Sequence, residues 1–369
     1  MRRIPKPSLN WLLVFVPLAI VLHYLSDDDR TVTFAAACLA IIPLAGWLGK
    51  ATDQVARKTT DSIGGLLNAT FGNMAELIIG LTALRAGLAS IVKASLAGSI
   101  IGNLLLVLGG SVLAGGIRFK SQQFNPRGAR VLSTMLTLAA IAFIAPAAYH
   151  RLAGGQARIR EDQLGLAIAI VLLITYGLGL LFSLHTHKQF FTRPVPDEAL
   201  PVEDGPEWGI WRACATLAAA AAMVAWISEI LVSSVEHAAL SLGMTELFIG
   251  AIVLAVIGNA AEHSTAILFA LKNRMDLSLS IAVGSSIQVA LFVTPVLLLA
   301  SHFIAPAPMD LVFSPAEIMA LGLSILIVWQ ISADGESNWL EGVQLIAVYV
   351  ILALVFYLLP GSTTLPTRR

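Results

Sequence analysis

Two glutamates lie inside long apolar stretches of the sequence. Glu76 falls in the run at 71–84 and Glu262 in the run at 248–271. An acidic side chain near the centre of a membrane helix costs roughly 2.5–3.5 kcal/mol on insertion scales. Two such residues in one chain therefore indicate a functional site that uses negative charge in apolar surroundings.

The segments around the two glutamates repeat at a fixed offset of 186 positions. Residues 72–76 (Gly-Asn-Met-Ala-Glu) return as residues 258–262 (Gly-Asn-Ala-Ala-Glu), and the Gly-Ser pair at 98–99 returns at 284–285. Because one offset holds across two predicted helices and their connection, the sequence indicates an internal duplication.

The repeated segments are rich in oxygen atoms that can bind a cation. Each glycine stands four residues before its glutamate, so both lie on one helix face and an ion or another helix can approach the backbone. The asparagines also suit helix–helix hydrogen bonds, and the serines also suit small-residue packing. The candidate cation ligands are Glu76, Glu262, Asn73, Asn259, Gly72, Gly258, Ser99, Ser285 and Gln288.

This set of ligands favours one class of ion. Calcium takes 6–8 oxygen ligands in flexible geometry, whereas magnesium prefers a tight octahedron and retains its waters. Zinc and copper prefer nitrogen or sulfur. Two carboxylates match a double positive charge, and either can be neutralised by a proton once the metal leaves.

The two halves of this predicted site are not identical. Gly102 occupies the position equivalent to Gln288, so the first half offers one oxygen fewer at that level. Asn103 is an offset substitute for the missing side chain, with a role in proton coupling or gating.

The composition requires a membrane protein. Of 369 residues, 57% are hydrophobic and 12% are charged, against about 25% charged in soluble domains, and the mean hydropathy is +0.81. The net charge is zero, so the composition does not show the excess of basic residues that is typical of nucleic-acid-binding proteins. We predict an all-α polytopic fold of about eleven transmembrane helices, near 9–25, 32–50, 62–84, 90–116, 129–149, 162–184, 208–235, 245–271, 277–301, 311–332 and 339–359.

The helices divide into four predicted regions. These are an extra N-terminal helix (1–31), a first five-helix repeat (32–184), an acidic cytoplasmic linker (185–207) and a second five-helix repeat (208–360). Since five is odd, the second repeat is inserted upside down relative to the first. Inverted repeats place a binding site near the membrane midplane and support alternating access.

The positive-inside rule sets the predicted orientation. With the N-terminus in the cytoplasm and the C-terminus outside, 15 of the 23 Lys and Arg residues lie on the cytoplasmic side. Cys38 and Cys214 are isolated from other ligand-type residues and are expected to pack as small apolar groups.

The signature segments resemble those of a known family. The Gly-Asn-x-x-Glu motifs, with His263 after the second one and a Gly-Ser helix after each, resemble the paired signatures of the calcium/cation antiporter superfamily. Within it they are most similar to the Ca²⁺/H⁺ antiporter (cation/proton exchanger) branch. The resemblance covers nearly the whole chain, including the extra helix and the acidic linker.

The resemblance implies that Glu76 and Glu262 bind Ca²⁺ and exchange it for protons, exporting Ca²⁺ from the cytoplasm without a cofactor. Glu229 and Glu236 lie in a segment similar to the family's gating helix, although charges near a membrane boundary explain them equally well. His263 is a candidate for proton transfer or selectivity, or a satisfied intramembrane histidine. The partners implied are Ca²⁺, protons and the lipid bilayer, and assembly into a homo-oligomer stays open.

Other functions remain alternatives at this point. An antiporter of the same fold that uses Na⁺ or K⁺ as substrate or counter-ion is the main one. An intramembrane enzyme using Glu262 and His263 lacks a supporting motif, and a channel or receptor needs no proton coupling. Compact loops favour a bacterial cytoplasmic membrane, with a vacuolar membrane as the alternative.

Overall fold

The computed structural model describes residues 9–25, 30–153, 158–187 and 207–359. The rest of the predicted N-terminal region and most of the predicted acidic linker, 188–206, lie outside these ranges. Within them the helices are α1 (Leu9–Leu25), α2 (Arg30–Ala56), α3 (Asp61–Phe71), α4 (Met74–Arg85), α5 (Ala89–Phe119), α6 (Pro126–Ala153), α7 (Arg158–Leu181), α8 (Ile210–Leu242), α9 (Glu246–Gly258), α10 (Ala260–Leu271), α11 (Met275–Ile304), α12 (Pro315–Ile331) and α13 (Trp339–Leu358).

These helices confirm the predicted all-α polytopic fold. Within the described ranges, seven single helices are long and apolar enough to cross a membrane, and two bent pairs, α3 with α4 and α9 with α10, bring the number to nine. The helices α1 and α12 are apolar but shorter. The total of eleven membrane spans therefore stays a prediction.

The two helices that carry the glutamates are not continuous, contrary to the prediction of single helices at 62–84 and 245–271. The chain bends by 40° between α3 and α4 and by 59° between α9 and α10. Asn73 (φ −98°, ψ 29°) and Asn259 (φ −98°, ψ 8°) lie outside helical geometry. A Gly-Asn pair favours such a break, because glycine is a weak helix former and asparagine competes for backbone hydrogen bonds.

Among the long helices, α5, α2 and α11 are the most buried, and α5 and α11 also share a structural feature. In the most apolar windows of α5 and α11, 72% and 56% of residues are buried, against 22% for α7. Both contain a π-helical stretch, Gly102–Val107 in α5 and Val289–Val293 in α11. The helix α2 packs along α8, and the first half of α5 packs against α9.

A small antiparallel sheet joins the ends of α5 and α13. The strand β1 (Ser121–Gln123) pairs with β2 (Glu336–Asn338). The buried side chain of Gln122 donates a hydrogen bond to the Ala270 carbonyl at 2.8 Å, which ties the sheet to the end of α10. The sequence patterns did not predict this sheet.

The two cysteines differ in their environment. Cys38 is buried in α2, as predicted, whereas Cys214 is exposed on α8. The expectation that both cysteines pack inside the protein was wrong for Cys214, because its side chain is exposed on α8.

Candidate cation site

Each of the two glutamates begins a half-helix. Glu76 is the third residue of α4 and Glu262 the third residue of α10, directly after the two breaks. The N-terminus of a helix carries a partial positive charge, which stabilises a carboxylate in the first turn. The helix breaks therefore supply a favourable field for two negative charges in an apolar region.

The two glutamates lie close to each other, although 186 positions separate them in sequence. Glu262 follows Gly258 by four residues, so a contact with Gly258 is a contact with the break that leads to Glu262. A β-carbon added to Gly258 would lie 3.6 Å from Oε1 of Glu76, so this carboxyl group rests against the break between α9 and α10. The structure thus brings the predicted pair of carboxyl groups into one place.

An amide and a hydroxyl from α11 hold the first break. Asn73 is buried, and its Nδ2 donates a hydrogen bond to Oε1 of Gln288. The hydroxyl of Ser285 donates to Oδ1 of Asn73 at 3.3 Å and also lies beside the carboxyl group of Glu262. Side chains from α11 thereby connect the first break to the second glutamate.

The second break makes the corresponding contact with α5. Asn259 is buried, and its Nδ2 donates to the hydroxyl of Ser99 at 3.0 Å and to the Ala255 carbonyl at 2.9 Å. Positions 73 and 285 therefore touch each other, as do positions 259 and 99, which stand at the same offset of 186. The duplicated residues make duplicated contacts across the site.

Asn103 is connected to the site by a hydrogen bond to Ser285. Its Nδ2 donates a hydrogen bond to the hydroxyl of Ser285 at 3.1 Å, and both side chains are buried. The residue at the equivalent place in α11 is Val289, which has no polar group. Asn103 is therefore part of the hydrogen-bonded network around the glutamates and has no polar counterpart in the second half.

The remaining candidates lie outside this network. His263 is partly buried in α10, directly after Glu262. Glu229 and Glu236 are exposed on α8, which packs against α4. Within the described ranges, no hydrogen bond joins either of these two carboxylates to the residues around the glutamate pair.

Oxygen atoms dominate the site. Among the residues that the structure describes, no group of three or more His, Cys, Asp or Glu side chains could hold a metal ion. Any cation bound here depends on two carboxylates, the neighbouring amide and hydroxyl oxygens and backbone carbonyls at the breaks. Such ligands suit hard cations of the calcium type.

The two half-helices that lead to the site differ in exposure. Gly72, at the end of α3, is exposed, whereas Gly258, at the end of α9, is buried. Ile63 in α3 is 51% exposed and its counterpart Ile249 in α9 is fully buried. The half-helix α3 is therefore the more exposed of the two, and α9 is the more buried.

Close packing between α5 and α9 buries the second half-helix. A β-carbon on Gly98 would lie 2.0 Å from the Ala251 carbonyl oxygen, so the backbones touch there. At the ends of these helices the hydroxyl of Ser90 donates to Glu246 at 2.8 Å. A β-carbon on Gly284, the counterpart of Gly98, would meet no atom within 4 Å.

The sequence patterns missed the helix breaks and the π-helical stretches. A signal for the breaks was present, since glycine interrupts both apolar runs at equivalent positions, and discontinuous helices of this kind form ion sites in transporters. No residue pattern predicted the π-helical stretches; such stretches are frequent at functional sites.

Comparison with known proteins agrees with this architecture. The family model described as sodium/calcium exchanger protein matches residues 30–185 and 212–358. A Ca²⁺/H⁺ antiporter of Aphanothece halophytica is 46% identical over 359 residues, covering 95% of this chain and 96% of that protein. A Ca²⁺/H⁺ antiporter of Bacillus subtilis is 44% identical over 345 residues, covering 93% and 97%.

A solved structure is also similar. The crystal structure of the Ca²⁺/H⁺ antiporter protein YfkE superposes with a TM-score of 0.80 at 42% identity, covering 94% of this chain and 98% of that one. The family match, the relatives and the shared fold all extend over both halves that carry the glutamates. The chain belongs to the sodium/calcium exchanger protein family.

Proposed function

We propose that the protein is a secondary transporter that exchanges Ca²⁺ for H⁺ and exports Ca²⁺ from the cytoplasm. The observation that carries this proposal is the meeting of Glu76 and Glu262, each in the first turn of a half-helix. Relatives at 44–46% identity are described as Ca²⁺/H⁺ antiporters, which supports Ca²⁺ and H⁺ as the exchanged ions.

The ligands we assign to Ca²⁺ are those predicted from the sequence. Glu76 and Glu262 supply charge, and oxygens from the two breaks and from α5 and α11 complete the coordination. Supporting residues are Asn73, Asn259, Gly72, Gly258, Ser99, Ser285 and Gln288, whose contacts surround the pair. We keep Asn103, His263, Glu229 and Glu236 as candidates for proton coupling or gating.

Coupling follows from competition for the same oxygens. The ionised form of a carboxyl group is disfavoured in a low-dielectric site and favoured beside a dication. Calcium binding therefore releases protons, and protonation releases calcium. If the empty, charged site cannot pass between the two access states, an inward proton gradient drives Ca²⁺ outward.

Alternating access is supported by the different exposure of α3 and α9. We assign residues 32–184 and 208–360 to two inverted repeats, with 1–31 as an extra helix. In an inverted repeat, exchanging the conformations of the two halves converts a transporter from one access state to the other. With the N-terminus inside, we assign the more exposed half-helix, α3, to the cytoplasmic path.

We place the protein in a bacterial cytoplasmic membrane, with the C-terminus outside. The excess of Lys and Arg residues on the predicted cytoplasmic side supports this orientation. The bilayer is its immediate partner, and a homo-oligomer is compatible with the exposed apolar surfaces of the outer helices.

The test is ion flux in proteoliposomes. Purified protein is reconstituted with a Ca²⁺ indicator inside and a pH step is imposed, acidic inside, at clamped membrane potential. We expect Ca²⁺ uptake that collapses when a protonophore dissipates the pH step. Parallel experiments replace the pH step by a Na⁺ or K⁺ gradient, and Ca²⁺ by Mg²⁺ or Mn²⁺.

Each outcome distinguishes a function. Uptake driven by a Na⁺ or K⁺ gradient but not by the pH step would contradict the proposal and would indicate a cation exchanger that uses Na⁺ or K⁺ as its counter-ion. Conduction of Ca²⁺ without proton movement would indicate a channel.

A further inference from the structure

Two asparagines at equivalent positions use their amide groups in different ways. Asn73 donates through Nδ2 to Gln288 and accepts through Oδ1 from Ser285. Asn259 donates through Nδ2 to Ser99 and to the Ala255 carbonyl. The Oδ1 of Asn259 is buried and has no hydrogen-bond partner among the described residues.

The orientation of the Asn259 amide is fixed by its neighbours. A backbone carbonyl can only accept a hydrogen bond, so the group that faces the Ala255 oxygen at 2.9 Å is the NH₂ group. The amide oxygen must then point the other way. In Asn73 the NH₂ group is held by Gln288 instead, and the amide oxygen faces Ser285.

The difference arises at one position. The residue 186 positions before Gln288 is Gly102, which has no side chain to reach Asn259. A β-carbon at Gly102 would meet no atom within 4 Å. The missing side chain therefore leaves free space where the second half of the site has an amide.

A second unpaired oxygen belongs to Glu262, three residues after Asn259. Oε2 of Glu262 is also buried and has no hydrogen-bond partner within the described part of the chain. A buried oxygen without a partner is unfavourable, and a bound cation removes this penalty. The Oδ1 of Asn259 and the Oε2 of Glu262 can therefore accept an ion without losing a hydrogen bond, whereas the Oδ1 of Asn73 already accepts a hydrogen bond from Ser285.

We infer that Gly102 determines the affinity of this site for Ca²⁺. By lacking a side chain, it leaves the amide oxygen of Asn259 available to the ion. Gln288 acts as a positioning residue, because its Oε1 accepts a hydrogen bond from Nδ2 of Asn73. The inference rests on the proposed function, because it assumes that the ion held between Glu76 and Glu262 is Ca²⁺.

The test measures equilibrium binding of radioactive Ca²⁺ to purified full-length protein, together with the Ca²⁺ dependence of uptake driven by a pH step. In Gly102→Gln, the NH₂ group of the new side chain comes within reach of the Asn259 amide oxygen and donates a hydrogen bond to it, while the Ala255 carbonyl still holds the Asn259 NH₂ group. We expect the Kd for Ca²⁺ to rise at least about tenfold, as for other changes beside metal ligands. The KM should rise in parallel, while the maximal rate is retained.

Three variants separate the amide effect from the effect of bulk. Gly102→Ala fits the space and adds no amide, so its Kd should stay within about twofold of wild type. Gly102→Leu has similar bulk to the glutamine variant and should weaken binding less than that variant does. The double variant Gly102→Gln with Gln288→Gly moves the glutamine from the second half of the site to the first. Because positions 102 and 288 are equivalent at the offset of 186, Asn73 then lacks an amide neighbour in place of Asn259, and most of the lost affinity should return.

If Gly102→Gln does not fold, alanine variants of the two asparagines test the same inference. Asn259→Ala should raise the Kd at least about tenfold and Asn73→Ala by clearly less, since only the first removes an available ligand. An equal rise in Kd for Asn259→Ala and Asn73→Ala would overturn the inference and leave the proposed function standing. Wild-type affinity in a folded Gly102→Gln protein would do the same. A wild-type protein that neither binds nor transports Ca²⁺ would overturn it together with the proposed function.

Discussion

The carboxyl group of Glu76 rests on the backbone of Gly258, where a β-carbon would stand 3.6 Å from its Oε1 atom. A glutamate of one half of the chain thus contacts the helix break that precedes the glutamate of the other half. This contact makes one site from two distant motifs, and it explains why both halves must be intact for the site to exist.

Neutralising either glutamate should remove coupled transport. Glu76→Gln and Glu262→Gln keep the side-chain shape but remove a charge needed to balance Ca²⁺ and a group that carries a proton. We expect Ca²⁺ uptake driven by a pH step to fall to the level of protein-free liposomes in both variants.

The matched control for these two variants is Asp162→Asn, which removes an exposed carboxylate near the start of α7. It should transport at the wild-type rate. Near-normal uptake by both glutamine variants would contradict the assignment of the site.

Calcium affinity should fall as the pH is lowered. Protons and Ca²⁺ compete for the same carboxyl groups, so in the acidic range the Kd rises by up to about tenfold per pH unit for each proton displaced. Glu76→Gln leaves one carboxyl group, and any residual binding should show a slope reduced by one proton.

Isothermal titration calorimetry in two buffers of different ionisation enthalpy measures the proton release directly. Calcium binding without proton release would argue against direct competition at the glutamates.

The two glycines before the site serines should respond in opposite ways to alanine. In Gly98→Ala the new β-carbon would lie 2.0 Å from the Ala251 carbonyl oxygen, and overpacking of this kind costs about 1–3 kcal/mol or more. In Gly284→Ala the β-carbon meets no atom within 4 Å, and alanine in a helix interior is favoured over glycine by roughly 0.5–1 kcal/mol.

Thermal unfolding in detergent measures this difference, and the melting temperature should fall for Gly98→Ala and stay or rise for Gly284→Ala. Similar melting temperatures would mean that α5 and α9 are not held together at this point.

A contact absent from the described conformation should form in the other access state. Ser90 and Glu246 join α5 to α9 at 2.8 Å. Their counterparts at the offset of 186 are Asp276 and Thr60, again a carboxylate and a hydroxyl. We expect Thr60 to approach Asp276 when α3 becomes the more buried half-helix.

Cysteine pairs test this movement in a Cys214→Ser background, since Cys214 is exposed. A short thiol cross-linker should join Thr60→Cys to Asp276→Cys and reversibly stop transport. The Ser90→Cys and Glu246→Cys pair, close in the described conformation, is the positive control. An active protein whose 60–276 pair never cross-links at any pH or Ca²⁺ concentration would contradict this model of access.

The exposed carboxylates of α8 should tune transport without being essential. Glu229 lies far from either end of α8 and is exposed, so Glu229→Gln removes a charge outside the hydrogen-bonded network of the site. We expect a lower maximal rate with an unchanged KM for Ca²⁺. A large increase in KM would instead place Glu229 among the ligands.

The sequence by itself determined the class of protein, most of the helices and the equivalence of the two glutamates in apolar segments. Composition and long apolar runs require helices in a membrane, because only there can so much apolar surface be stable with so few charges. The offset of 186 positions identified equivalent residues in two halves. These conclusions depend on residue type and spacing, which the sequence states directly.

Only the tertiary structure decided how the equivalent residues differ. It showed that the helices break at the Gly-Asn pairs and that α3 is exposed while α9 is buried. It also showed that the amide oxygen of Asn73 accepts a hydrogen bond while that of Asn259 has no partner among the described residues. These features depend on which groups meet across elements far apart in the chain. A duplicated sequence motif is compatible with either arrangement, and packing around residues such as Gly98 and Gly102 selects one.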